Sequence, residues 1–339
     1  MKIQNLKLLL SSSYWKDNWR EYAYAMFFIT IYLLLAKIME GAITLFHIII
    51  IISIILVRIF MGKEFLKDWF PIISFFIMYD MLRAIADDNR YIYVKEPFEA
   101  EQLFFAPFFG GNIPSFWLDR IQNPVITAIA AFLYSLHIFM PIFLGYLLWR
   151  KEETRKQFFE FAWTLTLTSY FALFTFWLFP VAPPWWIWSH GFAQPDTLMV
   201  SHESAAGLKI IDKMIGFNLF SNIYGTLNSN PFAAVPSLHA AYSFLVAFFA
   251  IRNYGKKGSI AIIYPIGIYF SALYLKHHYL IDLILGTVYA LIATYIATRL
   301  VYKPQPRKVM DNEGERPIEE IYEEKYPLTD QIILVGHNR

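Results

Sequence analysis

A chain of 339 residues that is 57% hydrophobic, 19% aromatic and only 17% charged, with mean hydropathy +0.41, carries more apolar surface than one soluble core can hide. This excludes an ordinary soluble domain and indicates an all-α polytopic membrane protein. The net charge of +2 gives no reason to expect a nucleic-acid partner, and the lack of cysteine excludes disulfides, thiol nucleophiles and cysteine metal ligands.

Residues 1–21 join a basic start to a three-leucine patch, Leu8 to Leu10, too short for a signal-peptide core. A cytoplasmic or interfacial segment leading into a retained first span is expected. With about 17 to 25 apolar residues per crossing, about eight transmembrane helices follow. They are Tyr22 to Ala36, Ala42 to Phe60, Trp69 to Ile85, Pro124 to Trp149, Phe158 to Phe179, Pro236 to Ile251, Ser259 to Leu275 and Tyr279 to Val301. Their length, without period-two alternation, predicts helices, and Pro265 with Gly267 predicts a bend in the seventh. The chain divides into the N-terminal segment, two additional spans over 22–68, a six-helix bundle over 69–302 and a charged cytoplasmic tail over 303–339. A short helix and strand are expected after Pro317.

Orientation follows from basic residues, because these are retained on the cytoplasmic side. With the N-terminus inside, "KDNWR", "GKEFLKD", "RKEETRK", "RNYGKK" and "KPQPRK" all fall inside, and so do both termini. Two long connections are left outside, Asp87 to Asn123 and Val181 to Val235. Both are rich in aromatic residues, and tryptophans such as those in "PPWWIW" belong at headgroup depth. A lid or vestibule over an outward-facing cavity, or plain interfacial anchoring, would use such segments.

Chemistry-bearing residues converge on the same face. His239 opens the sixth span in "AAVPSLHAAYSF", and an ionisable group at a membrane rim is a functional candidate by default. His278 and Asp282 stand four residues apart where the eighth span begins, so they share a helix face. A carboxylate so placed can fix a histidine's tautomer and raise its basicity.

These residues carry a resemblance. Pro236, Ser237, Leu238 and His239 match the Pro-Ser-x-His motif of the type-2 phosphatidic acid phosphatase superfamily. Ser271, His278 and Asp282 match the spacing of its Ser-Arg-x5-His-x3-Asp motif, with Ala272 in the arginine position. The family's Lys-x6-Arg-Pro motif is absent, the only Arg-Pro pair being Arg316 and Pro317 in the tail. That departure, with "YDMLRAIADD", "FPVAPPW" and "HHYLID", resembles the inositol phosphorylceramide synthase branch, over roughly Trp69 to Val301.

The resemblance implies a catalytic bundle in the last six spans and an active site on the extracytoplasmic face. It implies that His278 attacks phosphorus, Asp282 orients it, and His239 gives and takes the proton at the exchanging alcohol. Ser237 would donate to a phosphate oxygen, with Pro236 in the first turn of the following helix. Arg83 and Lys276 would bind phosphate in place of the missing basic motif. No cofactor or metal is expected, since His190 and His202 lack ligand spacing and no phosphate-cradling glycine loop occurs. His277 would tune charge beside the site, His137 would line a headgroup cavity or, the favoured reading, hydrogen-bond across the bundle, and His47 reads as structural.

The expected partners are a membrane lipid substrate, phospholipid or polyprenyl phosphate, and a second lipid or polyol acceptor. The function implied is an integral membrane phosphotransferase moving a phosphate-containing headgroup through a phosphohistidine. A phosphatase of lipid phosphates or polyprenyl diphosphates would share the same residues with water as acceptor. A transporter or scramblase would keep the spans without needing the residues.

Overall fold

The computed structural model describes residues 19–40, 43, 45–61, 63–81, 91–195, 203–227, 230–301, 308–311 and 314–317. Its helices are α1 (Trp19–Glu40), α2 (Leu45–Met61), α3 (Lys63–Met81), α4 (Lys95–Phe105), α5 (Pro114–Trp117), α6 (Pro124–Trp149) and α7 (Arg155–Leu178). There follow α8 (Pro184–His190), α9 (Lys209–Ile215), α10 (Leu219–Leu227), α11 (Leu238–Tyr254), α12 (Ile263–Tyr274) and α13 (Leu280–Ile296). Beyond them a two-stranded antiparallel hairpin, β1 (Lys308–Asp311) and β2 (Gly314–Pro317), adds a small β element to a fold expected to be all helical. The helix and strand expected farther along lie outside the described residues.

Local chemistry sets the ends of the long helices. Asn123 caps α6 by accepting from the Ile126 amide at 3.0 Å, and Pro124 takes the first position, where its missing N–H costs nothing. At the end of α11, Gly255 reverses the chain at φ 55°. The bend expected inside the seventh span is instead a change of helix type before it. Gly255–Ile262 forms a 3₁₀ stretch, α12 starts at Ile263, and Pro265 falls in its first turn, where proline is tolerated.

Three stretches among the described residues are long and apolar enough to cross a bilayer: Pro124–Trp149, Glu152–Leu178 and Leu280–Arg299. Met26–Ile38 and His47–Arg58 are shorter apolar helices. On α6, Val125, Ile129, Phe132, Phe139 and Phe143 are exposed along one side while Ala130, Ala131, Tyr134 and Leu144 are buried along the other. An apolar stripe turned away from the bundle is what a lipid-facing surface requires, and the protein is an integral membrane protein.

Inside the bundle α11 is central, packing on α6, α7, α12 and α13, and α3 packs on α7. Close packing in lipid needs small residues, and Ala240, Ala241, Ala272, Ala290 and Ala293 are buried. In α7 the hydroxyls of Thr164, Thr166, Thr168 and Ser169 donate to carbonyls four residues back, so they are satisfied within the helix. Charge gathers at the far end of α11, where Arg252 pairs with the buried Glu160 at 2.7 Å and Arg155 pairs with Asp68. The near end of α11 holds His239.

Above that end the two long connections form a layer on the bundle. Three extended segments lie parallel in it. The Tyr93 amide donates to Pro180 O and the Ala182 amide to Tyr93 O, while the Val181 amide donates to Phe232 O. Ile92, Val94, Ile113, Val181, Trp185, Trp186, Phe232 and Tyr279 pack around this ladder as a second apolar core. The described parts of these connections are thus ordered structure that fixes the backbone leading into Pro236.

Candidate active site

Ser237 is the N-cap of α11, accepting from the Ala240 amide at 3.3 Å. Its hydroxyl hydrogen is left free of that bond. Pro236 stands before the cap, outside the first turn in which the sequence placed it. The helix therefore presents its first amides and the His239 ring at one edge of the bundle.

The partner element is α13. Its N-cap, Tyr279, forms a capping box with Asp282, whose Oδ2 accepts from the Tyr279 amide at 2.8 Å. The Ser237 amide donates to the Asp282 carbonyl at 3.0 Å, which ties the two helix starts together. Gly286, one turn on, makes that approach possible: a Cβ there would lie 2.2 Å from Ser237 O. Only a residue without a side chain fits at this crossing.

His278, the residue before the cap, projects between the helices. Its Nδ1 is 3.0 Å from Ala234 O and 3.3 Å from Asp282 Oδ2. A carbonyl oxygen can only accept, so Nδ1 carries the proton and Nε2 of the neutral ring carries the lone pair. That Nε2 meets His239 Nδ1 at 3.1 Å, with His239 donating. Asp282 is fully buried, and its Oδ1 has no hydrogen-bond partner among the described residues.

An aromatic stack surrounds the pair. The Tyr134 ring lies flat between His239, at 4.2 Å, and His277, at 4.8 Å, while His137 tilts against His239 at 4.1 Å. The cavity beside the two central histidines has a volume of about 90 Å³, several times the space one water needs. Tyr134, Phe176, Trp185, Tyr224 and Leu238 line it together with His239, His277 and His278, and no lysine or arginine is among the described lining residues. Nor do the described residues contain three His, Cys, Asp or Glu grouped to hold a metal ion.

The structure thus brings His239, His278, Asp282 and Ser237 together. It does not bring Lys276 into the cavity. That side chain is buried, reaches Asp119 Oδ1 at 2.5 Å and lies over the Trp188 ring at 4.6 Å. The attractions of a carboxylate and an aromatic face hold the ammonium away from the histidines. Arg83 and His202 lie outside the described residues. His190 pairs with Glu203 at 3.1 Å in the outer layer, and His47 is buried against Tyr32. His137 donates from Nδ1 to Tyr134 O at 2.8 Å, yet its ring also borders His239. Ser271, the first residue of the His278 motif, donates to Gly267 O within α12 and does not reach the cavity.

Reading the sequence alone missed Tyr134 and Ala234. Tyr134 stands three residues before His137, close enough to share its face, so helical spacing could have raised it. Ala234 contributes only a backbone carbonyl, for which a sequence carries no signal.

No solved structure matches the chain. The phosphoinositol dihydroceramide synthase of Bacteroides thetaiotaomicron is 32% identical over 227 residues, 66% of this chain and 73% of that protein. The inositol phosphorylceramide synthase catalytic subunit AUR1 of Saccharomyces cerevisiae is 35% identical over 111 residues, 33% of this chain and 27% of its own. The inositol phosphorylceramide synthase of Candida albicans is 31% identical over 130 residues, 38% of this chain and 27% of its own. The match thus spans about a quarter of each fungal protein. The family model of the PAP2 superfamily matches residues 114–296, which hold every residue of the histidine site, and the chain belongs to that superfamily.

Proposed function

We propose that this chain, a lipid phosphotransferase enzyme of the PAP2 superfamily, transfers an inositol phosphate headgroup from a phospholipid donor to a ceramide-type lipid alcohol through a phosphohistidine on His278. The observation that carries the reading is the His278 ring itself. Its Nδ1 proton is held by Ala234 O and Asp282, and its Nε2 lone pair faces the proton-bearing Nδ1 of His239.

The two half-reactions use the same atoms. Nε2 of His278 attacks phosphorus and the bond from phosphorus to the departing alcohol's oxygen breaks. The electron pair on that oxygen takes the Nδ1 proton of His239, which enters this step as the imidazolium and is left as a neutral ring with a lone pair on Nδ1. In the return step the acceptor hydroxyl loses its proton to His239 as its oxygen attacks phosphorus, and the P–N bond breaks. Asp282 balances the positive charge that builds on the His278 ring, and the Ser237 hydroxyl, whose hydrogen is free of the cap bond, would donate to a phosphate oxygen. At rest the histidines bond to each other at 3.1 Å, so an entering phosphate must displace that bond.

The choice of substrate is supported by what lines the cavity and by the relatives. A phosphodiester carries one negative charge, and the described lining, largely aromatic and aliphatic with three imidazoles, Ser204 and Asn230 but no lysine or arginine, suits it better than a dianionic monoester. A largely apolar wall also disfavours water as acceptor. Three relatives are named as phosphoinositol dihydroceramide or inositol phosphorylceramide synthases. The sequence pattern further supports eight spans, the last six forming the catalytic bundle, with both termini cytoplasmic and the histidines facing outward.

One assay tests both chemistry and side. Sealed right-side-out vesicles containing the protein receive phosphatidylinositol labelled in the headgroup, with increasing ceramide in the outer leaflet. A labelled inositol phosphoceramide that grows with ceramide is expected without permeabilisation. Free inositol phosphate released at a rate indifferent to ceramide would make the enzyme hydrolytic, and turnover only after permeabilisation would reverse the orientation.

A further inference from the structure

One buried acid outside the family match has no part in the scheme above. Glu101, in the outer helix α4, is fully buried. Its Oε1 accepts from the Leu280 amide at 2.7 Å and its Oε2 from the Ile281 amide at 3.0 Å. These are the first two amides of α13, the helix that carries Asp282. The capping box already satisfies the Tyr279 amide, so Glu101 and Asp282 together take three consecutive donors at one helix start.

Among the described residues Glu101 has no ionic partner, and a buried carboxylate so placed is costly unless its hydrogen bonds serve a purpose. Here the purpose is geometric. Asp282 Oδ2 stands 3.3 Å from His278 Nδ1, and a small shift or rotation of the first turn of α13 would break that contact. The carboxylate grips the turn through both oxygens from an element about 180 residues away in the chain.

We propose that Glu101 is a positioning residue: its carboxylate holds the first turn of α13 so that the Asp282 carboxylate stays against the His278 ring, fixing its orientation and balancing its charge. This rests on His278 being the nucleophile. Glu101 touches no reacting atom, and acts only through the helix start.

Ionisation should matter to such a clamp. Burial pushes the Glu101 carboxyl up to about 7, against the pull of the two amides and with the charge of Asp282 adding to the rise. From α13 it is faced by Asp282 and Tyr279. On its own helix Lys95 and Glu99 pair with each other at 3.1 Å, and Glu96 receives the Tyr91 hydroxyl at 3.0 Å. In the neighbouring connections Asp119 is taken by Lys276 and His190 by Glu203. When Glu101 is protonated one oxygen becomes a hydroxyl and its hold on an amide weakens. Activity should therefore fall as pH drops through about 7.

Stability should move the other way. A carboxyl whose folded value is raised binds more protons in the folded state than in the unfolded one. Its contribution favours the fold at low pH and is lost as pH rises from the ordinary carboxylate range, about 4.3, towards that raised value.

The test is Glu101→Gln in the full-length protein. The near-isosteric amide keeps one acceptor and cannot titrate. The expected result is a fall in kcat of about tenfold, the lower end of what losing a supporting partner costs, with KM little changed and the acid limb near pH 7 gone. In parallel, the thermal midpoint of the wild type should rise on acidification from pH 8 to 6 relative to that of the variant. The wild-type kcat-pH profile supplies the second measurement if the variant does not fold. A profile flat from pH 6 to 8, or an acid limb and kcat unchanged in Glu101→Gln, overturns the proposal. The thermal comparison needs no substrate, so it stands apart from any failure of the proposed transfer reaction.

Discussion

Which nitrogen of His278 is free to react is decided by an oxygen that belongs to no motif. Ala234 O is a fixed acceptor at 3.0 Å, nearer than Asp282, so it selects the tautomer while the carboxylate supplies charge. In the proposed mechanism His239 has a separable task, the proton at the exchanging oxygen, and the two roles predict different responses to substrate. His239→Ala should lower transfer from a natural lipid donor by about 10² to 10⁴, the usual worth of general acid catalysis. An aryl phosphodiester, whose leaving group needs no proton, should recover most of that loss. His278→Ala should recover none. Equal rescue of both variants, read from initial rates with the two donors, would reject this division of labour.

At the scale of elements, the site exists because α11 and α13 begin side by side. The Ser237 amide, the Asp282 carbonyl and the missing side chain of Gly286 make one crossing, and Glu101 braces it from the outer layer. Gly286→Ala would set a methyl 2.2 Å from Ser237 O, on backbone that cannot turn aside. The expected cost is about 1–3 kcal/mol of overpacking, seen as a lower thermal midpoint together with loss of transfer. Gly267→Ala is the control, since its methyl would meet the flexible Leu133 side chain at 3.1 Å. It should cost less and leave transfer nearly intact, and a Gly286→Ala protein equal to it in both readouts would show that the crossing tolerates separation.

Across the whole molecule, the long helices were legible because apolar length is local information. α6 begins and ends where the sequence placed it, and the convergence of His239 with His278 followed from the two motifs opening adjacent helices on one face. What could not be read depends on pairing distant backbone. The ladder joining Tyr93, Val181 and Ala233 is made of extended pieces too short for a strand pattern, so the aromatic connections read only as lid or anchor. Glu101 is one acid among several in "EPFEAEQ", and nothing near it in sequence marks it as the acid that reaches α13. Lys276 stands two residues before His278 in the sequence, but its side chain is taken by Asp119 and Trp188, a pairing no local pattern announces.

In the proposed reaction His278 carries the headgroup between the two lipids. Purified protein mixed with phosphatidylinositol labelled at phosphorus, without acceptor, and quenched in alkali should retain label in an acid-labile, base-stable bond. Digestion should place that label on His278, and added ceramide should discharge it into the lipid product. Transfer that proceeds with no label on the protein, or with label on His239 in place of His278, would contradict the account.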